Sequence, residues 1–197
     1  QAMAAEWDMI ERDLRTPELW AFLTGDPRPE ATHISLLLDT LAGGPRGRER
    51  PPFHTFETLR QQIVDDANEL WNRVVDLHSL VLGWFEDRNL FHKIGYLVAT
   101  GTRFADILAL AEGAKKSEFD AKLDGLIRDR LKLSRDILRE LSYESSYARQ
   151  RLSNALLLMN VETVRKLTNS TERYSFRAHA TGLWSLEHIH AQNAEEL

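Results

Sequence analysis

Apolar residues recur three or four positions apart along most of this chain, the spacing of helices that turn one face to a core. Between Met3 and Leu23 the positions Trp7, Ile10, Leu14, Leu19, Trp20 and Leu23 keep that spacing, and Pro17 stands where a second helix can open on its first turn. Two short, tightly joined helices are predicted. Gly25-Asp26-Pro27-Arg28-Pro29 breaks the pattern, and Thr32 then precedes Ile34, Leu37, Leu38 and Leu41 as the predicted cap of a third helix that Gly43 and Gly44 close. Residues 43–52 hold three glycines, three prolines and three arginines, which predicts an exposed loop and a place where a partner can touch. Beyond it, Phe56, Leu59, Ile63, Ala67, Leu70, Val74, Leu77, Val81 and Trp84 alternate steps of three and four, the seam of one long amphipathic helix. Further helices are predicted over 90–99, 104–113, 118–130, 134–141 and 147–158, and nothing in that span alternates with period two. After Thr168 the character changes, and 173–179 and 183–189 read as two short strands. The predicted fold is mainly α. A multi-helix bundle around a long central helix fills residues 1–168, and a short β-containing piece, cut off by the end of the sequence, follows over 169–197.

With 197 residues, 43% of them hydrophobic and 28% charged, the chain can bury a sizeable core and is too apolar to be disordered throughout. A net charge of −5 argues against a binder that offers nucleic acid its whole surface, though not against a local basic patch. The absence of cysteine removes disulfides, thiolate metal sites and cysteine nucleophiles, and a reducing cytoplasmic setting is expected. Apolar runs such as 155–159 fall far short of the roughly 20 residues a membrane helix needs, so no membrane partner is expected. The first residue is Gln1 rather than methionine, which suggests processing or a piece taken from a longer protein.

Three separated stretches carry a family resemblance. They are Ala5-Glu6-Trp7-Asp8-Met9-Ile10-Glu11 with Glu18-Leu19-Trp20-Ala21-Phe22-Leu23 and the following Thr32-His33-Ile34-Ser35-Leu36-Leu37-Leu38-Asp39; Leu156-Leu157-Leu158-Met159-Asn160-Val161-Glu162; and Trp184-Ser185-Leu186-Glu187-His188-Ile189-His190-Ala191-Gln192-Asn193. In this order and spacing the chain resembles the GmrSD-like, type IV (modification-dependent) restriction endonucleases. These are bacterial anti-phage proteins that join an N-terminal ParB-like nucleotide-hydrolysing domain to a C-terminal HNH-type nuclease. The first stretches look like the family's middle helical region, the second like its link to the nuclease, and the third like the Glu-His-Ile motif that opens the nuclease domain. Neither the Asp-Gly-Gln-Gln-Arg type motif of the N-terminal domain nor the later asparagine and histidine of the nuclease is present, and Ala191 stands where the family commonly has proline. The resemblance implies the middle of a larger protein that uses nucleoside triphosphate and Mg²⁺ to cleave foreign, modified phage DNA. This segment would be inactive alone, and a homodimer is compatible with it.

An HNH nuclease sets a general base beside a divalent cation, so that water attacks phosphorus while the metal neutralises the leaving oxygen. A histidine with a near-neutral pKa suits the base, and the resemblance implies His188. By analogy with nucleases in which an acid immediately precedes that histidine, Glu187 is the candidate Mg²⁺ ligand, since Mg²⁺ prefers oxygen. On an arbitrary chain a Glu-His pair on a strand is a surface pair. His190 shares the side-chain parity of His188, which would allow a His-x-His metal pair, but no third ligand is evident and the family motif assigns only His188.

Arg128, Arg130, Lys132, Arg135 and Arg139, with Arg149, Arg151, Arg165 and Lys166 beyond, could grip phosphates. Asp124, Asp129, Asp136 and Glu140 interleave at ion-pairing spacings, so a solvated helical face is the favoured reading. Trp71, Trp84, Phe85 and Phe91 read as core rather than as a stacking platform for bases, and His54, His78 and His92 as structural. Two other function classes stay open: a non-enzymatic helical interaction or oligomerisation module, whose 56–84 seam packs against another copy, and a helical nucleic-acid binder using the arginines near position 130.

Overall fold

The computed structural model describes residues 2–28, 32–45, 47–132 and 146–182, and among these the chain is helical, with no strand. In chain order the helices are α1 (Ala2–Leu14), α2 (Pro17–Thr24), α3 (Ser35–Ala42), α4 (His54–Glu86), α5 (Arg88–Ala99), α6 (Phe104–Ala111), α7 (Lys116–Leu131), α8 (Ser146–Lys166) and α9 (Phe176–Ala180). The helix predicted over 134–141 and the strand predicted over 183–189 lie outside the described residues.

The paired helices at the start form as the pattern predicts, with Pro17 opening α2. Leu19 through Leu23 are all buried, so α2 runs through the interior rather than along a surface. It stops at Gly25, whose left-handed φ of 67° lets its N–H reach the Ala21 carbonyl; a Cβ there would also lie 3.3 Å from the Val98 carbonyl oxygen. Thr32 is not the cap of α3. The Glu11 carboxylate on α1 takes that place and accepts from the N–H groups of His33 (3.0 Å) and Ile34 (2.9 Å). Burial works to raise the Glu11 pKa, but these two N–H groups and Arg15 outweigh it and hold the carboxyl at about 2.

The long seam appears as α4, whose Leu59, Leu70, Val74, Leu77, Val81 and Trp84 are buried. One break interrupts it. Asp66 is extended (φ −158°, ψ 98°), and its carboxylate accepts from Asn68 N–H and Glu69 N–H at 2.9 and 3.0 Å, capping the second half as a new helix. The glycine- and proline-rich loop holds a 3-10 turn, Gly47–Glu49. Arg50 ties it down by donating to the Gly43 and Pro45 carbonyls, both at 3.0 Å, and to the Thr55 hydroxyl at 2.6 Å.

Helix α5 lies at the centre, buried from Leu90 to Val98, with α2, α4, α7, α8 and α9 against it. The strand predicted over 173–179 is corrected: that stretch is irregular until Ser175 and then forms α9. Local capping and docking outweigh its alternating pattern. Ser175 Oγ accepts from the Ala178 N–H at 3.1 Å, and Tyr174 and Phe176 bury their rings in the helical core.

Candidate functional site

Glu187, His188 and His190 lie outside the described residues. The structure describes how the chain is held just before that motif. Residues 167–182 leave α8, cross α5 and end beside α2, and long-range contacts hold residues 172–177 of that path.

Two arginines act as reciprocal clamps. Arg88, the first residue of α5, donates to the carbonyls of Val164 (2.5 Å) and Arg165 (2.8 Å) at the end of α8, and to Glu172 (3.0 Å) in the returning segment. Arg173 in that segment donates back to Phe85 (2.5 Å) and Glu86 (2.6 Å), the last carbonyls of α4, and lies over the rings of Phe85 and Phe91 at 5.5 and 5.1 Å. Each cation meets a helix C-terminus, where carbonyls lack intrahelical donors and the dipole favours positive charge.

Between them His92 is fully buried. Its Nδ1 lies 2.6 Å from the Arg88 carbonyl, and its Nε2 accepts from the Tyr174 N–H at 3.1 Å. These partners assign a neutral ring with its proton on Nδ1. Burial is the main force that lowers its pKa; the Arg88 carbonyl opposes it, and the charges of Arg88, Arg165 and Arg173 add to it.

Replacing His92 by leucine leaves the Tyr174 N–H buried without an acceptor and is expected to destabilise the chain by about 2 kcal/mol. The sign of its pH dependence follows from the lowered pKa. Below the unfolded value the unfolded chain binds more protons, so this contribution is full above about pH 6.5 and fades as pH falls through the folded value. His78 and His179 are also pushed down by burial, so the test compares denaturant unfolding of wild type and His92→Leu from neutral pH to about pH 5. An acid-side loss of equal size in both proteins would show that His92 does not contribute.

Past the clamps, Phe176 packs directly on Gly95, where a Cβ would lie 2.1 Å from the ring. Arg177 pairs with Glu18 on α2 at 2.9 Å and draws the Glu18 pKa below the ordinary carboxylate value. A polar layer lies between α5, α7 and α8. The ammonium of Lys93, 4% exposed, meets Asp120 at 2.8 Å and Asp124 at 2.7 Å. Asn89 donates to Asp120 at 2.6 Å and accepts from Arg165 at 2.7 Å, and Arg165 pairs with Glu162. This joins α5, α7 and α8.

No family model, curated protein or solved structure matches this chain.

Within the predicted basic run, Arg130 and Arg151 are occupied by main-chain carbonyls and Arg165 by Glu162, while Arg135 and Arg139 lie outside the described residues. Arg130 donates to the Thr100 carbonyl after α5, and Arg151 to those of Leu131 and Lys132 at the end of α7, both at 3.1 Å. Trp84 and Phe91 are core as predicted, while Trp71 and Phe85 are partly buried. Of the histidines read as structural, His54 meets the Gly43 carbonyl at 3.1 Å and His92 is held as above, while the buried His78 sets its Nε2 3.4 Å from Asp13 without a hydrogen bond. Among the described residues no three His, Asp or Glu side chains gather as metal ligands, and no helix is long and apolar enough to cross a membrane.

One further feature stands apart. An open apolar groove of about 500 Å³ runs between α1, α3 and α4 on both sides of the Asp66 break, walled by Trp7, Leu38, Phe56, Ile63, Leu70 and Trp71. Trp7 and Trp71 stack across it, 6.0 Å apart, and the Trp71 Nε1–H donates to Glu6 at 2.5 Å. Sequence reasoning singled out neither Lys93 nor the His92–Tyr174 bond. A lysine at an otherwise apolar position of α5 is the one signal for the former, and a bond across 82 positions leaves none for the latter.

Proposed function

We propose that this chain is the helical region of a GmrSD-like, modification-dependent restriction endonuclease, connecting an NTP-hydrolysing ParB-like domain to a Mg²⁺-dependent HNH nuclease that begins near the Glu187-His188 motif. The residue-level resemblance supports the family. The observation that carries the role is the clamped path of residues 172–177: Arg88, His92, Gly95 and Glu18 all hold the segment that leads into residues 183–193. A linker that merely tethered two domains would need no such contacts. A segment fixed on three helices supports a body that would set where such a nuclease sits, and a displacement of α5 would reach that segment.

In this reading the helical body transmits and positions, in the cytoplasm, and the DNA is met by the whole protein. Glu187 would hold Mg²⁺ through the hard oxygen donor the ion prefers, and the ion when bound would supply charge neutralisation at the leaving oxygen. His188 takes the proton of the attacking water.

The deciding experiment is Mg²⁺-dependent cleavage of modified phage DNA by the whole protein that contains this chain, wild type against His188→Ala. Removing a general base is expected to slow cleavage by about 10³-fold. A variant that cuts like wild type would end the nuclease assignment of His188. The second reading, a non-enzymatic helical interaction module, would then take its place, and the open groove on α4 is the observation that favours it.

A further inference from the structure

We propose that α4 is a two-state element with its hinge at Asp66. In one state the Asp66 carboxylate breaks the helix and bends it around the apolar groove; in the other the same residues run through as one continuous helix and the groove is gone.

The break has none of the usual steric causes. Sharp bends in helices fall at proline, at glycine and serine pairs, or where a group inserts into the hydrogen-bond ladder. Residues 54–82 contain neither proline nor glycine. The apolar spacing also runs straight through, from Leu59 by way of Ile63 and Ala67 to Leu70 and Val74. One residue interrupts the helix: Asp66 is extended, inside an element that is otherwise helical. Its carboxylate takes the N–H groups of Asn68 and Glu69, which in an unbroken helix would go to the carbonyls of Val64 and Asp65. For these two donors the exchange is even, so the sequence serves both forms.

Two further features belong to the bent form alone. The Arg73 guanidinium donates to Gln62 Oε1 at 2.7 Å across the break. In a continuous helix these residues stand about 16 Å apart along the axis, too far for their side chains to meet. The groove is the other feature. Phe56, Leu59 and Ile63 line it from before the break and Ala67, Leu70 and Trp71 from beyond, so opening the angle separates its walls. Little burial opposes that motion. No residue from Arg60 to Glu69 is buried, and the part of α4 before the break contributes one buried side chain, Leu59. Its first turn is tied to the end of α3 by polar contacts, His54 to the Gly43 carbonyl at 3.1 Å and Thr55 to Asp39.

The inference does not rest on the nuclease reading, and its test uses no DNA. The chain has no cysteine, so Glu57→Cys and Asp76→Cys give a unique pair of exposed sites for spin labels on either side of the break. Pulsed dipolar distance measurement on the labelled 197-residue chain is expected to show two populations, one at about 28 Å for the continuous helix and one shorter. Asp66→Ala removes the cap and supplies the best helix former, and should raise the ratio of long to short about tenfold. Gln62→Ala, which removes only the bond across the break, should raise it about threefold. Ala67→Pro should leave the short population alone. Position 67 opens the second half of the helix, where proline is accepted, and proline favours in the residue before it the extended backbone that Asp66 already has. A wild type confined to the short distance would still support the proposal if Asp66→Ala brings out the long one. A short population that persists unchanged in Asp66→Ala would overturn it, because the break would then be a fixed feature of the fold. A wild type confined to the long distance, with Ala67→Pro unfolding the chain, would overturn it from the other side.

Discussion

Alanine at Gly95 is expected to lower stability by about 2 kcal/mol, the reverse of what the same change does in an ordinary helix. Exchanging glycine for alanine inside a helix normally gains up to about 1 kcal/mol, because alanine loses less backbone entropy on folding. At Gly95 the new methyl would lie 2.1 Å from Phe176 Cε2 and within 2.5 Å of two further ring carbons. The ring cannot yield in place, since it already packs against Phe91 at 5.3 Å and Tyr174 at 5.1 Å. The segment carrying it must lift away from α5. Gly83 and Gly125 provide the control: both lie in helices and a Cβ there meets nothing within 4 Å, so alanine should stabilise at those two positions. Denaturant unfolding reads the stability change, and amide exchange of residues 174–180 reads the release. If Gly95→Ala matches Gly83→Ala in sign, the close packing of Phe176 is not a feature of the folded protein in solution.

The second large effect comes from Lys93, and it is asymmetric. Its ammonium is buried, whereas the side chains of Asp120 and Asp124 remain 34% and 40% exposed. Lys93→Met keeps the volume and leaves two carboxylates that water can still reach, so the loss should stay near 1 kcal/mol. Removing both acids with Asp120→Ala and Asp124→Ala strands a cation in the core and takes the acceptor from Asn89 as well. The expected loss is about 4 kcal/mol. Equal losses in the two unfolding experiments would mean that the carboxylates do not carry the lysine's charge.

Much of this fold is legible in the sequence because helices report themselves locally. The helix that carries the 56–84 seam, the Pro17 start and the Gly25 stop are all settled by neighbours within a few positions, although Phe56, Ile63 and Ala67 of that seam stay exposed. The misreadings occur where the apolar spacing carries no trace of the group that decides. The apolar spacing runs unbroken through Ile63, Ala67 and Leu70, so the break at Asp66, which a carboxylate makes by capping the next helix, does not show in it. The strand read over 173–179 failed because Phe176 has a glycine of α5 to fill, and the period-two pattern of its neighbours says nothing of that. The clamps are less legible still, since Arg88 and Arg173 find partners 76 to 88 positions away. For the Glu187-His188 motif the sequence is the whole source, as those residues lie outside the described part.

The cap that Glu11 lends to α3 also bears on the order of folding. With eight residues, α3 is too short to persist in water by itself, and its own Thr32 does not cap it. Its first-turn acceptor sits on α1, some 22 positions earlier in the chain. Helix α3 therefore cannot gain its full stability before α1 has docked, and once docked the two melt as one cooperative unit. The same carboxylate that closes α3 sits on the helix that forms one wall of the groove, with α3 forming another. The groove would thus appear and vanish in a single step with that unit.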